Sequence, residues 1–125
     1  MQVVGWIDRG IFKAAGLEAL TDEVVLTYPQ MQHITEEHPQ VYESYGGLIA
    51  DILANPDYII EANRGNSAVL LKEFSEEDAR FQLVLRLKIE EDPIEFKNSI
   101  ITFWKIEEKR YRRYLRTKKV LYKRE

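Results

Sequence analysis

Residues 81–89 read FQLVLRLKI, and their pattern decides the fold. In an extended chain Phe81, Leu83, Leu85, Leu87 and Ile89 face one way, and Gln82, Val84, Arg86 and Lys88 face the other. A period of two sustained over this stretch predicts a strand with one face buried. Upstream, SAVLLKEF (67–74) is separated from it by the acidic turn SEED, and DYIIEA (57–62) lies beyond the turn Asn63-Arg64-Gly65-Asn66. Downstream, EEDPIEFKN reads as a loop and SIITFWKI (99–106) as a fourth strand, with Ile100, Thr102, Trp104 and Ile106 on one face. Connections this short favour antiparallel pairing, because parallel strands need a long crossover.

The N-terminal half changes period. VVGWI (3–7) reads as a short strand or extended arm, IFKAAGLEAL as a helical turn, and EVVLT (23–27) as a strand. A helix is predicted over 29–37, opened by Pro29 and closed at His38, which precedes Pro39. A second is predicted over 39–54, where Val41, Tyr45, Leu48 and Ile52 share a face. Gly46-Gly47 inside it predicts a kink or the close approach of another element. Asn55-Pro56-Asp57 stops it. From Glu107 the run EEKRYRRYLRTKK reads as a helix with acids first and bases last, which suits its dipole. The expectation is an α+β fold: N-terminal helices packed on a four-stranded antiparallel sheet, followed by a basic C-terminal helix. The 125 residues suit a single domain, 1–125.

The composition is that of a folded globular protein: 45% hydrophobic, 31% charged and 11% aromatic. No apolar run approaches membrane-spanning length, and MQVVGWIDRG does not read as a signal peptide. With no cysteine there is no disulfide scaffold and no thiolate zinc site, so a cytoplasmic location is the simplest reading. The net charge of −3 is unevenly divided: residues 105–125 hold ten Lys/Arg against three Glu. A basic tail on an acidic body points to a polyanion partner; a solvated helix surface is the plainer alternative.

Only two histidines occur, His33 and His38. Five residues apart, they would lie about 140° apart on an unbroken helix. A helix ending at His38 frees that ring to turn toward the sheet. They then read as a general acid/base pair, or more plainly as a helix residue and a helix cap. Ser99 and Thr102, with Trp104 and Lys105, could hold a phosphate oxygen, although threonine is common in strands. Trp104, Tyr111 and Tyr114 interleave with Arg112, Arg113 and Arg116, as in surfaces that stack unpaired bases; Tyr111 and Leu115 could equally anchor the helix. Lys72 and Arg86 are candidate cations. There is no dinucleotide or P-loop fingerprint, no GxSxG and no EF-hand loop. The histidine spacing is not that of a zinc protease, and the acidic clusters read as solvated, so no metal and no cofactor is expected.

Four segments then occur in a recognisable order: HITEEHP (33–39), Asn55-Pro56-Asp57-Tyr58-Ile59, Leu70-Leu71-Lys72, and Ser99-Ile100-Ile101-Thr102. With Val4-Gly5 and Val24-Val25-Leu26, the chain resembles the phage-associated nuclease-like domains of the barnase–EndoU–colicin–RelE superfamily. The resemblance implies a metal-independent ribonuclease fold. By position it makes His33, His38 and Thr102 the catalytic candidates, and Lys72, Arg86, Ser99, Trp104 and Lys105 the substrate-binding ones. The implied partner is RNA, with an inhibitor or immunity protein common for toxins of this size, and the context is a phage, a mobile element or a toxin-like effector. The alternative is a non-catalytic nucleic-acid-binding or phage assembly protein built on an inactive nuclease fold.

Overall fold

The alternating stretch lies in the middle of a seven-stranded sheet. The structure is a computed structural model that describes residues 1–125. Its strands are β1 (Gln2–Trp6), β2 (Glu23–Leu26), β3 (Tyr58–Glu61), β4 (Ser67–Phe74), β5 (Ala79–Arg86), β6 (Asn98–Ile106) and β7 (Val120–Lys123). Across the sheet they run β1-β2-β6-β5-β4-β3-β7. The helices are α1 (Arg9–Ala14), α2 (Tyr28–Glu37), α3 (Val41–Tyr45), α4 (Ile49–Ala54) and α5 (Glu108–Thr117).

The α+β class holds, but the expected four-stranded antiparallel sheet ending in a basic helix is wrong. β1 and β2 extend the sheet, and β2 pairs with β6 in parallel. Everything from α2 to β5 lies between those two strands, which supplies the long crossover a parallel pair needs. Nor does the basic helix end the fold: after α5 the chain forms β7 on the far edge, antiparallel to β3. Val120, Leu121 and Tyr122 are flanked by Lys118, Lys119, Lys123 and Arg124. Three apolar residues inside a charge run give too little pattern to announce a strand, and lysines on a short edge strand discourage further pairing.

The two faces of the sheet differ. On the inner face Phe81, Leu83, Leu85, Leu70 and Phe103 are buried with Phe12 of α1, Ile34 of α2 and Ile49, Ile52 and Leu53 at α4. The predicted helix over 39–54 is broken into α3, a 3-10 turn at Gly46–Leu48, and α4. The closest approach is at Gly5 rather than at that pair: a Cβ there would meet Leu53 Cδ1 at 3.1 Å and Ala50 Cα at 3.2 Å. On the outer face Ile60, Val69, Leu71 and Ile106 form a smaller cluster with Tyr111 of α5. The helix has to cross that face, because β6 and β7 lie on opposite sides of β5, β4 and β3.

A bulge in β6 sets which residues look outward. Thr102 pairs with Val84 but Ile100 pairs with Leu85, so Ile101 is the extra residue. Ile100 therefore turns into the core, while Thr102, Trp104 and Ile106 keep to the outer face. The single face expected for Ile100, Thr102, Trp104 and Ile106 is split there.

Candidate active site on the outer sheet face

Helix α2 brings the histidines to β6. Thr27 caps its start by accepting a hydrogen bond from the Gln30 N–H (3.3 Å), with Pro29 in the first turn. β2 pairs with β6 only as far as Val25 and Ser99, and α2 lies along the bare edge beyond. There Gln30 Nε2 donates to the Ile101 carbonyl at 2.6 Å. At the other end Pro39 disfavours helix in His38, which takes φ −133° and ψ 74°. Released from the helix, the His38 ring stacks on Trp104, with centroids 4.8 Å apart and planes 16° apart.

His33 is held differently. Its Nε2 meets the Glu37 carboxylate one turn on, and its side chain is 51% exposed. On a 100° repeat Ile34 lies about 40° to one side of Gln30 and His33 about 60° to the other. Gln30 touches the sheet edge and Ile34 enters the inner core. His33 therefore stands on the flank of α2 toward the outer face, the face that carries Trp104 and Thr102. The two imidazoles have separate partners, Glu37 for His33 and Trp104 for His38.

The other candidate residues divide between the faces. Lys72 pairs with Phe81 in register and so lies on the inner face; it is buried, donates to the Asn55 carbonyl at 2.7 Å and stands 3.6 Å from Asp57. Lys105 also pairs with Phe81, and its ammonium sits over the Tyr45 ring at 5.6 Å. Ser99 is opposite Arg86, at the far end of β6 from Trp104. Arg86 binds Asp92 through two hydrogen bonds, 2.9 and 3.0 Å. Of the eight, the structure brings His38 onto Trp104 and sets Thr102 beside it on the same face. Lys72 and Arg86 are engaged in structural pairs.

The Arg86–Asp92 pair has a pH signature. The Arg86 hydrogen bonds, and then the Ile89 N–H, hold the Asp92 carboxyl below its ordinary range. A depressed folded value means the stabilisation is present above the unfolded value and is lost as pH falls through the folded one. Urea midpoints measured downward from about pH 4 are expected to fall more steeply in the wild type than in Asp92→Asn.

Sequence reasoning missed the cavity beside these residues. It is about 410 Å³, floored by the β5 residues Gln82 and Val84 and walled by Tyr114 of α5, with Arg64 and Lys118 among its lining residues. None of Glu76, Glu77, Asp78, Glu90, Glu91 or Asp92 lines it. Tyr111 is buried, as an anchor should be, and burial pushes its phenol well above the ordinary range. Tyr114, the next aromatic on α5, carries the Arg113 guanidinium over its ring at 5.9 Å. The signal for the cavity was available: Gln82 is the one uncharged polar residue in an otherwise apolar-or-basic strand. No group of three or more His, Asp or Glu side chains is arranged as a metal site, and no helix is long and apolar enough to cross a membrane.

Residues 8–123 match a family model described as phage-Barnase-EndoU-ColicinE5/D-RelE like nuclease2. This agrees with the resemblance carried by the four ordered segments. No curated protein and no solved structure matches the chain.

Proposed function

Because the chain belongs to the phage Barnase-EndoU-ColicinE5/D-RelE-like nuclease family, we propose that it cleaves RNA by 2′-OH transesterification, with protein side chains rather than a metal ion moving the protons. The observation that carries this reading is His38, stacked on Trp104 at the outer sheet face beside Thr102. A base takes the proton of the 2′-OH, and that oxygen attacks the adjacent phosphorus. The bond to the 5′-oxygen breaks, and an acid protonates the departing oxygen. His38 and His33 serve as the acid/base pair. Glu37 orients His33, as a carboxylate orients a catalytic imidazole elsewhere. The Thr102 hydroxyl donates to a phosphate oxygen. Arg64 and Lys118, at the neighbouring cavity, take over the cationic role first expected of Lys72 and Arg86.

RNA incubated with the protein in EDTA is expected to be cut, leaving 2′,3′-cyclic phosphate ends. DNA of the same sequence is expected to survive, since it lacks the 2′-OH. Cleavage abolished by chelation, or equal cutting of DNA, overturns the mechanism.

One observation favours a second reading. Arg110, Arg112, Arg113 and Arg116 are all exposed on α5, which suits a module that binds nucleic acid without cutting it. That reading predicts steeply salt-dependent binding and no products.

A further inference from the structure

We propose that the cavity between β5 and α5 is a base-recognition pocket, and that the Gln82 carboxamide reads the edge of the nucleobase held there. The inference rests on the RNA-cleaving reading for its substrate and extends it from phosphate chemistry to base choice. Gln82 is only 7% exposed, yet its Oε1 has no hydrogen-bond partner. Buried polar atoms are nearly always paired, so an orphaned one at a cavity floor calls for a ligand. The rest of the lining is half apolar and half polar, with Glu61 its one carboxylate, which suits a flat molecule with polar edges. Val69, Val84 and Ile101 supply aliphatic surface and Tyr114 an aromatic wall. A carboxamide offers one acceptor beside two donors. Its complement is a planar edge with a donor next to an acceptor, which nucleobases present. The last torsion of glutamine is soft, so the amide can turn its oxygen toward the ligand at small cost.

Register ties the pocket to the reacting groups. Gln82 pairs with Trp104, and Val84 pairs with Thr102. The base site is thus one strand over from the residues assigned to the phosphate, about 4.8 Å across the sheet. Arg64 and Lys118 supply charge for the flanking phosphates.

The test uses the full chain and two readouts. The four nucleoside 3′-monophosphates are titrated by calorimetry into wild type and into Gln82→Met, which keeps length and apolar bulk but loses the amide. In parallel, cleavage ends on a mixed-sequence RNA are sequenced. Wild type is expected to favour one base by about 10-fold or more, the range of a two-bond base contact. Gln82→Met is expected to bind the four nucleotides with nearly equal affinity and to cut without base preference. An unchanged preference in Gln82→Met overturns the pocket assignment and leaves RNA cleavage standing. A Gln82-dependent preference in binding without any cleavage supports the pocket and overturns the catalytic reading instead. Failure of all four nucleotides to bind, with RNA still cut, also overturns the pocket.

Discussion

Replacing His38 by phenylalanine is expected to lower the rate of RNA cleavage by about 10²–10⁴-fold while the fold survives. Phenylalanine keeps a flat ring for Trp104 to stack on and removes only the group that exchanges a proton. The contrast with His38→Ala separates chemistry from packing. Loss of the stack costs about 0.5–1.5 kcal/mol, which a urea titration resolves. Cleavage is expected to be equally poor in both variants, while stability falls only in the alanine one. His33→Ala is expected to be impaired as well. If the two imidazoles act in one step, the double variant should be little worse than the worse single one, because groups that act as a unit are not additive. Wild-type cleavage by His38→Phe, measured on an end-labelled RNA in EDTA, would remove His38 from the mechanism.

The reason His38 can play this part was half legible in the chain. Pro39 told where α2 must end, and it does end there. What His38 would meet was not legible, since the bulge at Ile101 decides which β6 residues look outward. A bulge leaves no local pattern when, as here, the strand is apolar on both faces. The same limit explains the cations. Lys72 and Arg86 stood out as charges in strands, but a charge in a strand is as often there to satisfy a buried partner as to bind a ligand. Lys72 does so at Asn55, and Arg86 at Asp92. Arg64 and Lys118, which line the cavity, came from a turn and a helix end with no pattern of their own.

The sheet shows a similar division. β4, β5 and β6 were readable because long alternation or long apolar runs survive any tertiary context, although the alternation runs on to Ile89 while β5 spans Ala79–Arg86. β1 and β2 were visible as strands but not as members of this sheet, since a partner some seventy residues away, such as Ser99 for Val25, leaves no trace in local periodicity. β7 was hidden by its lysines. The helix that precedes it was read correctly in kind but not in place. Its crossing of the outer face follows only once β7 is known to lie beyond β3, and that crossing is what turns an open sheet face into a cavity.

The sharpest test of that two-faced sheet is Phe81→Ala, expected to cost about 3–5 kcal/mol, a large fraction of the roughly 5–15 kcal/mol by which a domain is stable. Phe81 is fully buried. It stacks on Phe103 at 5.5 Å and 16°, and it takes the edges of Tyr45 and Phe74 at 5.0 and 5.8 Å. Those three rings come from β6, α3 and β4, so removing the fourth opens a void that no one element can close by moving. Phe81→Leu should recover much of the loss. One residue on, the expectation reverses. Gln82 is nearly as buried, but its Oε1 has no protein partner and faces the cavity, so an apolar side chain of the same length breaks no hydrogen bond of the core. Gln82→Met should therefore leave the urea midpoint unchanged or raise it. Adjacent positions of one strand would then differ sharply: Phe81 present for stability, Gln82 dispensable for it. A midpoint that drops as far for Gln82→Met as for Phe81→Ala would mean that the amide is part of the core and not a waiting contact.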